Sequence, residues 1–200
     1  MNKRALLAIP LALLLSNGAQ AQGPAWYWGM SYGMASPVSD TKDFTSGTSW
    51  RNFGIDILAV VKPNTSVGVF FGWNVFDEIS ADVSSVGGFE VAGDQFRYVN
   101  SFPMLANVRQ FFGTEGRLRP FVGLGVGTQY VKNRVDVGQW RFEDNSWHFS
   151  AVPEVGVVIP FGSDASWFLN GKYHYAAKAS DRTRSYFGFN LGIAWQTGGF

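Results

Sequence analysis

Residues 119–130 read Arg-Pro-Phe-Val-Gly-Leu-Gly-Val-Gly-Thr-Gln-Tyr. In an extended chain successive side chains point to opposite faces. Val122, Leu124 and Val126 then share one face, and Gly123, Gly125 and Gly127 the other. A helical chain would scatter both sets around its axis. The stretch reads as a strand with one bulky apolar face and one face nearly without side chains.

Seven further stretches carry the same alternation. Around 25–35, Trp26, Trp28, Met30, Tyr32 and Met34 oppose Gly29, Ser31, Gly33 and Ala35. Around 50–61, Phe53, Ile55, Ile57, Ala59 and Val61 oppose Asn52, Gly54 and Asp56; around 65–76, Val67, Val69, Phe71, Trp73 and Val75 oppose Ser66, Gly68, Gly72 and Asn74. Around 96–111, Phe102, Met104, Ala106 and Val108 oppose Ser101, Asn107 and Arg109. The last three run at about 146–159, 166–176 and 184–196, with Trp147, Phe149, Val155, Trp167, Leu169, Phe187, Phe189 and Leu191 opposite His148, Ser150, Glu154, Asn170, Lys172 and Asn190. Each is about the 9–11 residues that a tilted strand needs to cross a bilayer.

Together they predict an all-β chain, an eight-stranded antiparallel up-and-down transmembrane β-barrel with its apolar face turned outward. A soluble barrel would carry the alternation the other way round. The composition favours the membrane form. Aromatics reach 16% of the chain, more than a small core accommodates, and charged residues are only 16%, below the roughly 25% of soluble domains. The net charge of +1 gives no reason to propose nucleic acid. Without cysteine there is no disulfide framework and no thiolate metal site. No cofactor or metal set is read from the sequence.

The N-terminus supplies an address. Lys3 and Arg4 precede a short apolar run, Leu6 to Leu15, and Ala19-Gln20-Ala21 fits a signal-peptidase site. The run is too short to span as a helix. Residues 1–21 are therefore expected to be a cleaved signal peptide, and 22–200 one barrel domain.

The links alternate. Those at 62–64, 112–118 and 160–165 are short, while 36–49, 77–95 and 131–145 are longer, with 177–183 between. Short periplasmic turns and longer outside loops are the pattern of outer-membrane barrels, with both chain ends in the periplasm. Aromatic girdles are then expected: Trp26, Trp28, Phe111, Phe121, Trp167 and Trp195 toward the periplasm, and Trp50, Trp73, Tyr98, Tyr130, Trp147 and Tyr175 toward the outside. Pro103 and Pro153 lack a ladder donor, so a local bulge is expected at each.

Buried polar groups need partners. Asp56, Arg109, Arg119, Glu154 and Lys172 all fall on the inward face and are expected to form an ion-pair network in the lumen. Lys132, Arg134, Lys178, Arg182 and Arg184 lie near the outer rim as candidate contacts for lipopolysaccharide phosphates. Loop 77–95 carries Asp77, Glu78, Asp82, Glu90 and Asp94 without a Lys or Arg. A cation site there is the sharper reading, but the spacing matches no calcium motif and a solvated loop is favoured.

With this pattern in place, the chain resembles the small outer-membrane barrels of the opacity-protein and OmpA/OmpX-like group. The resemblance covers about 25–200. It is most specific at Phe102-Pro-Met-Leu-Ala-Asn-Val-Arg109 and the following Arg119-Pro-Phe-Val-Gly-Leu-Gly-Val-Gly127, and again at Asn190-Leu-Gly-Ile-Ala-Trp195 with the terminal Phe200. It implies a Gram-negative outer-membrane location and insertion through a machinery that reads the C-terminal strand. Gly198-Gly199 separates Phe200 from that strand, so either Trp195 or Phe200 is the aromatic read. The group implies a structural, adhesion or surface-interaction role through the outer loops. Eight strands enclose an interior just filled by side chains, which argues against a general porin.

The alternative is a lipid-modifying enzyme. His148-Phe149-Ser150 resembles the His-x-Ser element of lipid A deacylase barrels, and period 2 puts His148 and Ser150 on one face. The Asn that follows Ser in those barrels is Ala151 here, and Glu154 lies two strand steps beyond Ser150, about 13 Å away. No catalytic residue is nominated, and the expectation is a non-enzymatic barrel.

Overall fold

The computed structural model describes residues 25–80, 84–86, 89–91, 95–137, 140–177 and 183–198, the backbone alone for 80, 84–86, 89–91 and 95. The predicted leader, Asp82, Asp94, Lys178, Arg182 and Phe200 lie outside the described residues, as does the Glu90 side chain. Eight long strands close into one barrel: β1 (Trp26–Val38), β2 (Ser49–Lys62), β3 (Thr65–Ser80), β4 (Gln95–Phe111), β5 (Arg119–Val137), β6 (Trp140–Pro160), β7 (Ala165–Ala176) and β8 (Ser185–Thr197). Each pairs antiparallel with its chain neighbours, and β8 closes on β1 from Trp26↔Thr197 to Val38↔Ser185. Trp26 and Thr197 lie at the same barrel end as the short turns: the Val60 amide donates to the Ala25 carbonyl, Phe111 to Asn64, and Gln196 to Asp164. A five-residue helix, α1 (Asp40–Phe44), follows β1 at the other end.

The expected alternation holds across the apolar belt. On β1, Trp28, Met30 and Tyr32 are exposed while Gly29 and Ser31 are buried; on β8, Phe187, Phe189 and Leu191 are exposed while Gly188, Asn190 and Gly192 are buried. The inward face is less uniformly small or polar than the sequence reading has it. Leu58, Phe70, Leu105, Phe121, Val152 and Phe168 are all buried in the lumen. Glycine makes room for them: a Cβ at Gly192 would stand 2.3 Å from the tip of the Phe168 ring.

Three expectations are corrected. Neither proline makes a bulge. Pairing lapses beside Pro103, between Phe71↔Met104 and Asn74↔Ser101, and beside Pro153, between Ala151↔Tyr175 and Glu154↔Lys172, but the register is the same on either side. A missing N–H removes a ladder bond, and the flanking pairs hold the alignment. The register shifts fall elsewhere, at Gly33/Ala35 and Val60/Lys62. Residues 131–145 are no irregular loop either: β5 and β6 stay paired from Lys132↔Asn145 to Val137↔Trp140. Within loop 77–95, β3 runs on to Ser80 and a short hairpin pairs 84–86 with 89–91.

Candidate functional site

The interior is built in layers. In the middle, Arg109 of β4 reaches two carboxylates. Its Nη2 donates to Asp56 Oδ1 at 2.7 Å and Glu154 Oε2 at 3.1 Å, and its Nε donates to Glu154 Oε1. Lys172 Nζ stands 3.6 Å from Glu154 Oε2, and Asn107 Nδ2 donates to Oε1 at 3.3 Å. The cluster thus bridges β2, β4, β6 and β7. Its cations also face rings: Arg109 lies 5.0 Å from the Phe121 centroid, and Lys172 Nζ 3.4 Å from that of Phe70. Gly123 on β5 leaves the space that Glu154 occupies, since a Cβ there would stand 2.5 Å from Oε1. All four charged groups are buried. Removing one partner would strand a buried charge, at a cost of about 3–5 kcal/mol.

Arg119 does not join this cluster, which corrects the expected five-residue network. It opens β5 at the short-turn end, where its Nη2 donates to the Pro63 carbonyl at 3.1 Å and to Asn64 Oδ1 at 3.0 Å. Phe111 and Phe121 belong to the lumen and not to an outer girdle. Both are buried, and Phe111 presents its ring to Arg119 at 4.9 Å. Their odd numbers put them in phase with Arg109 and Arg119, a parity that sequence reasoning overlooked in favour of their height.

Next to the ion cluster, Asn52 Nδ2 donates to Asn190 Oδ1 at 2.8 Å and Asn190 Nδ2 to Asn170 Oδ1 at 2.9 Å. His174 stacks on Tyr186 with centroids 4.3 Å apart. His148 and Ser150 are both buried but turn to other partners. His148 Nε2 lies 2.8 Å from Ser146 Oγ and Nδ1 2.8 Å from the Ala177 carbonyl, while Ser150 Oγ donates to the Tyr175 carbonyl at 3.0 Å. The base-to-hydroxyl contact that the alternative reading needs is not made, and Glu154 is committed to Arg109 and Lys172.

The outer mouth is filled by Ala35, Phe76, Val99, Val131 and Tyr186, with Phe44 of α1 packed on them. Asp40 Oδ2 accepts from the Thr183 amide at 2.7 Å and hydroxyl at 3.1 Å, and Arg184 Nη1 donates to the Asp40 carbonyl at 3.2 Å. Arg97 and Arg184 lie over the Phe44 ring at 5.8 and 5.6 Å. Arg184 is therefore a buried latch for α1 and not a rim contact, because its even number on the β8 side turns it inward.

The outward face sorts by height. Trp28 pairs with Trp195, and Trp167 lies on the next strand opposite Ile193. Toward the other end, Trp73, Phe102, Tyr130 and Trp147 form a row of ring contacts across β3, β4, β5 and β6, with centroids 6.4, 6.2 and 5.0 Å apart. Trp26 and Trp50 also point outward. Along β7, Trp167 and Tyr175 are separated by about 26 Å of strand, or about 20 Å along the axis at the usual tilt. Past Tyr130 the outward residues turn charged. Lys132 Nζ lies 2.9 Å from Glu143 Oε2, Arg134 bonds Asp136, and Arg141 Nε lies 3.1 Å from Asp136 Oδ1. Hydrogen bonding from Arg134 holds the Asp136 carboxyl below the usual range, and bonding from Lys132 does the same for Glu143. In the acidic segment, Asp77 pairs with Arg51, and Glu78 accepts from the Ser46 amide and hydroxyl.

No family model and no curated protein matches the sequence. Solved structures do match in shape. The attachment invasion locus protein Ail of Yersinia pestis, crystallised with the heparin analogue sucrose octasulfate, is 12% identical over 87% of this chain and 99% of its own, with a TM-score of 0.56. Neisserial surface protein A is 12% identical over 89% and 100%, with a TM-score of 0.55. The N-terminal β-barrel domain of Pseudomonas aeruginosa OprF is 11% identical over 88% and 99%, with a TM-score of 0.51. The chain thus has the fold of the small eight-stranded outer-membrane β-barrels.

Proposed function

We propose that the chain is an outer-membrane barrel of a Gram-negative bacterium that works through its outer hairpins as a structural or surface-interaction protein. One observation carries this reading: the ion cluster of Asp56, Arg109, Glu154 and Lys172 is inside, while the tryptophans are outside. Water would not leave such a belt exposed, since apolar surface of this extent calls for a covering phase. The filled mouth under α1 supports a contact role over bulk passage.

The working surface is the β5–β6 hairpin above the aromatic row. Lys132 and Arg134 point outward there, at the height where lipopolysaccharide phosphates would meet them, with Arg141 beyond. Both have carboxylate partners of their own, so phosphate would compete with Glu143 and Asp136. Insertion would proceed through the C-terminal strand, whose Trp195 faces outward on β8.

A heat-modifiability gel on membrane fractions tests the reading. The expected result is an outer-membrane chain that migrates differently before and after boiling. A soluble periplasmic chain without that shift would overturn it and turn the aromatic face into a ligand-binding core.

A further inference from the structure

We propose that the short-turn end of the barrel is a binding site for a small organic monoanion, a carboxylate on an aromatic body, with Arg119 as the residue that reads the charge. A cavity of about 600 Å³ opens at this end, lined among others by Tyr27, Leu58, Phe111, Arg119, Phe121 and Phe168. That size lies within the roughly 300–1,000 Å³ of small-molecule sites, and the wall mixes rings with polar groups, Arg109 among them, although Arg109 is already paired with Asp56 and Glu154.

Arg119 is the polar group that reads the charge. It is 5% exposed, and its Nε has no acceptor among the described residues. Its Nη2 bonds go to neutral oxygens, those of Pro63 and Asn64. The Phe111 ring at 4.9 Å adds attraction but no counter-charge. A buried charge without a partner is costly, so an anion gains here what the protein does not supply. The charge count agrees. From the middle of the lumen to the short-turn end, Arg109, Lys172 and Arg119 are cationic and Asp56 and Glu154 anionic, which leaves one positive charge; buried Arg184 lies at the other mouth, bonded to Asp40. One surplus charge suits a carboxylate better than a phosphate dianion. Glu115, which accepts from the Tyr27 hydroxyl at 3.4 Å beside Arg119, and Asp164 also line the cavity, but both are exposed at its rim, where water and salt screen them. The body follows from the walls: Phe111, Phe121, Phe168 and Tyr27 offer rings on which an aromatic group stacks.

The location of this end in the periplasm rests on the membrane reading; the binding site itself does not. The test uses the mature chain refolded in phosphatidylcholine nanodiscs with labelled phenylalanine rings, titrated near neutral pH with 3-phenylpropanoate and, separately, the neutral 3-phenylpropanol. The acid is expected to shift the ring signals of Phe111, Phe121 and Phe168 saturably and to bind about tenfold tighter than the alcohol, as one charge-assisted hydrogen bond in a buried site provides. In Arg119→Gln the preference falls to about twofold or less, and Arg119→Lys keeps part of it. Equal affinities, absent saturation, or an unchanged preference in Arg119→Gln would overturn the site. Should the Gln variant fail to refold, the wild-type comparison and the Lys variant still decide. A missing heat-modifiability shift in the same preparations marks failure of the barrel reading separately.

Discussion

Strand β5 contains two barrels' worth of logic. Below Tyr130 it is inside-out: Val122, Leu124 and Val126 are exposed, while Gly123, Gly125 and Gly127 line the lumen. Above Tyr130 the same strand is right-side-out. Val131, Val135 and Val137 are buried inward, Val135 opposite Phe142 of β6 across the ladder, and Lys132, Arg134 and Asp136 face outward. No bulge separates the halves, for the β5–β6 register runs unbroken from Arg119↔Val158 to Val137↔Trp140. On the proposed membrane placement, what changes is the solvent. Where lipid is outside, the outward face must be apolar and the lumen may hold ions. Where water is outside, apolar side chains do better inward.

The largest test falls on the lower lumen. Replacing Arg109 with Met leaves Asp56 and Glu154 buried without their shared cation, and should cost about 3–5 kcal/mol in a denaturant titration of the refolded barrel. An effect below about 1 kcal/mol would mean that water, not Arg109, satisfies those carboxylates. Next comes the lipid face. Ile57→Arg, between Trp28 and Val69 in the register, should cost about 2–4 kcal/mol or block assembly, whereas an arginine already stands outward at 134 in the upper half. Normal assembly of Ile57→Arg would shift the lipid boundary or the register.

The upper half gives the smallest effects. Val135→Asp should loosen only the hairpin tip, seen as faster amide exchange at 132–143 with the heat-modifiability shift retained; loss of the whole fold would make the two halves one cooperative unit. Asp136 titrates in reach of this sharpening too. Its carboxyl is held below the usual range by the Arg134 hydrogen bond, so its contribution is complete above that range and fades only as pH falls through the lowered midpoint. A carboxyl NMR titration should place Asp136 below a free aspartate, and Arg134→Ala should raise it part of the way, Arg141 still bonding Oδ1.

The strand set was legible because period 2 survives in every crossing, and strand boundaries at the short-turn end come within a residue or two of the turns. The hairpin above Tyr130 was not, since the apolar phase moves from even to odd residues there and an eye following Val122, Leu124 and Val126 stops. The switch itself, Val131, Val135 and Val137 after Tyr130, is a signal in the sequence. Parity places Asp56, Arg109, Glu154 and Lys172 on one face, but strand tilt and stagger decide that they meet and that Arg119 does not. Phe70, Phe121 and Phe168 were hidden by composition: a phenylalanine reads as lipid-facing until its phase or register says otherwise, Phe121 and Phe168 standing opposite Gly156 and Gly192 and Phe70 opposite Asp56. The short α1 offers no helical period to find, and its latch, Asp40 with Arg184, joins residues from opposite ends of the chain.

The change of face along β5 is the most direct measurement. The chain has no cysteine, so single cysteines can be placed at 122 through 137 and probed with a lipid-borne and a water-borne quencher. Lipid contact is expected at 122, 124 and 126, water contact at 132, 134 and 136, and protection from both at 131, 135 and 137. Water contact at every even position, 122 to 136, would contradict it and return the chain to a soluble barrel.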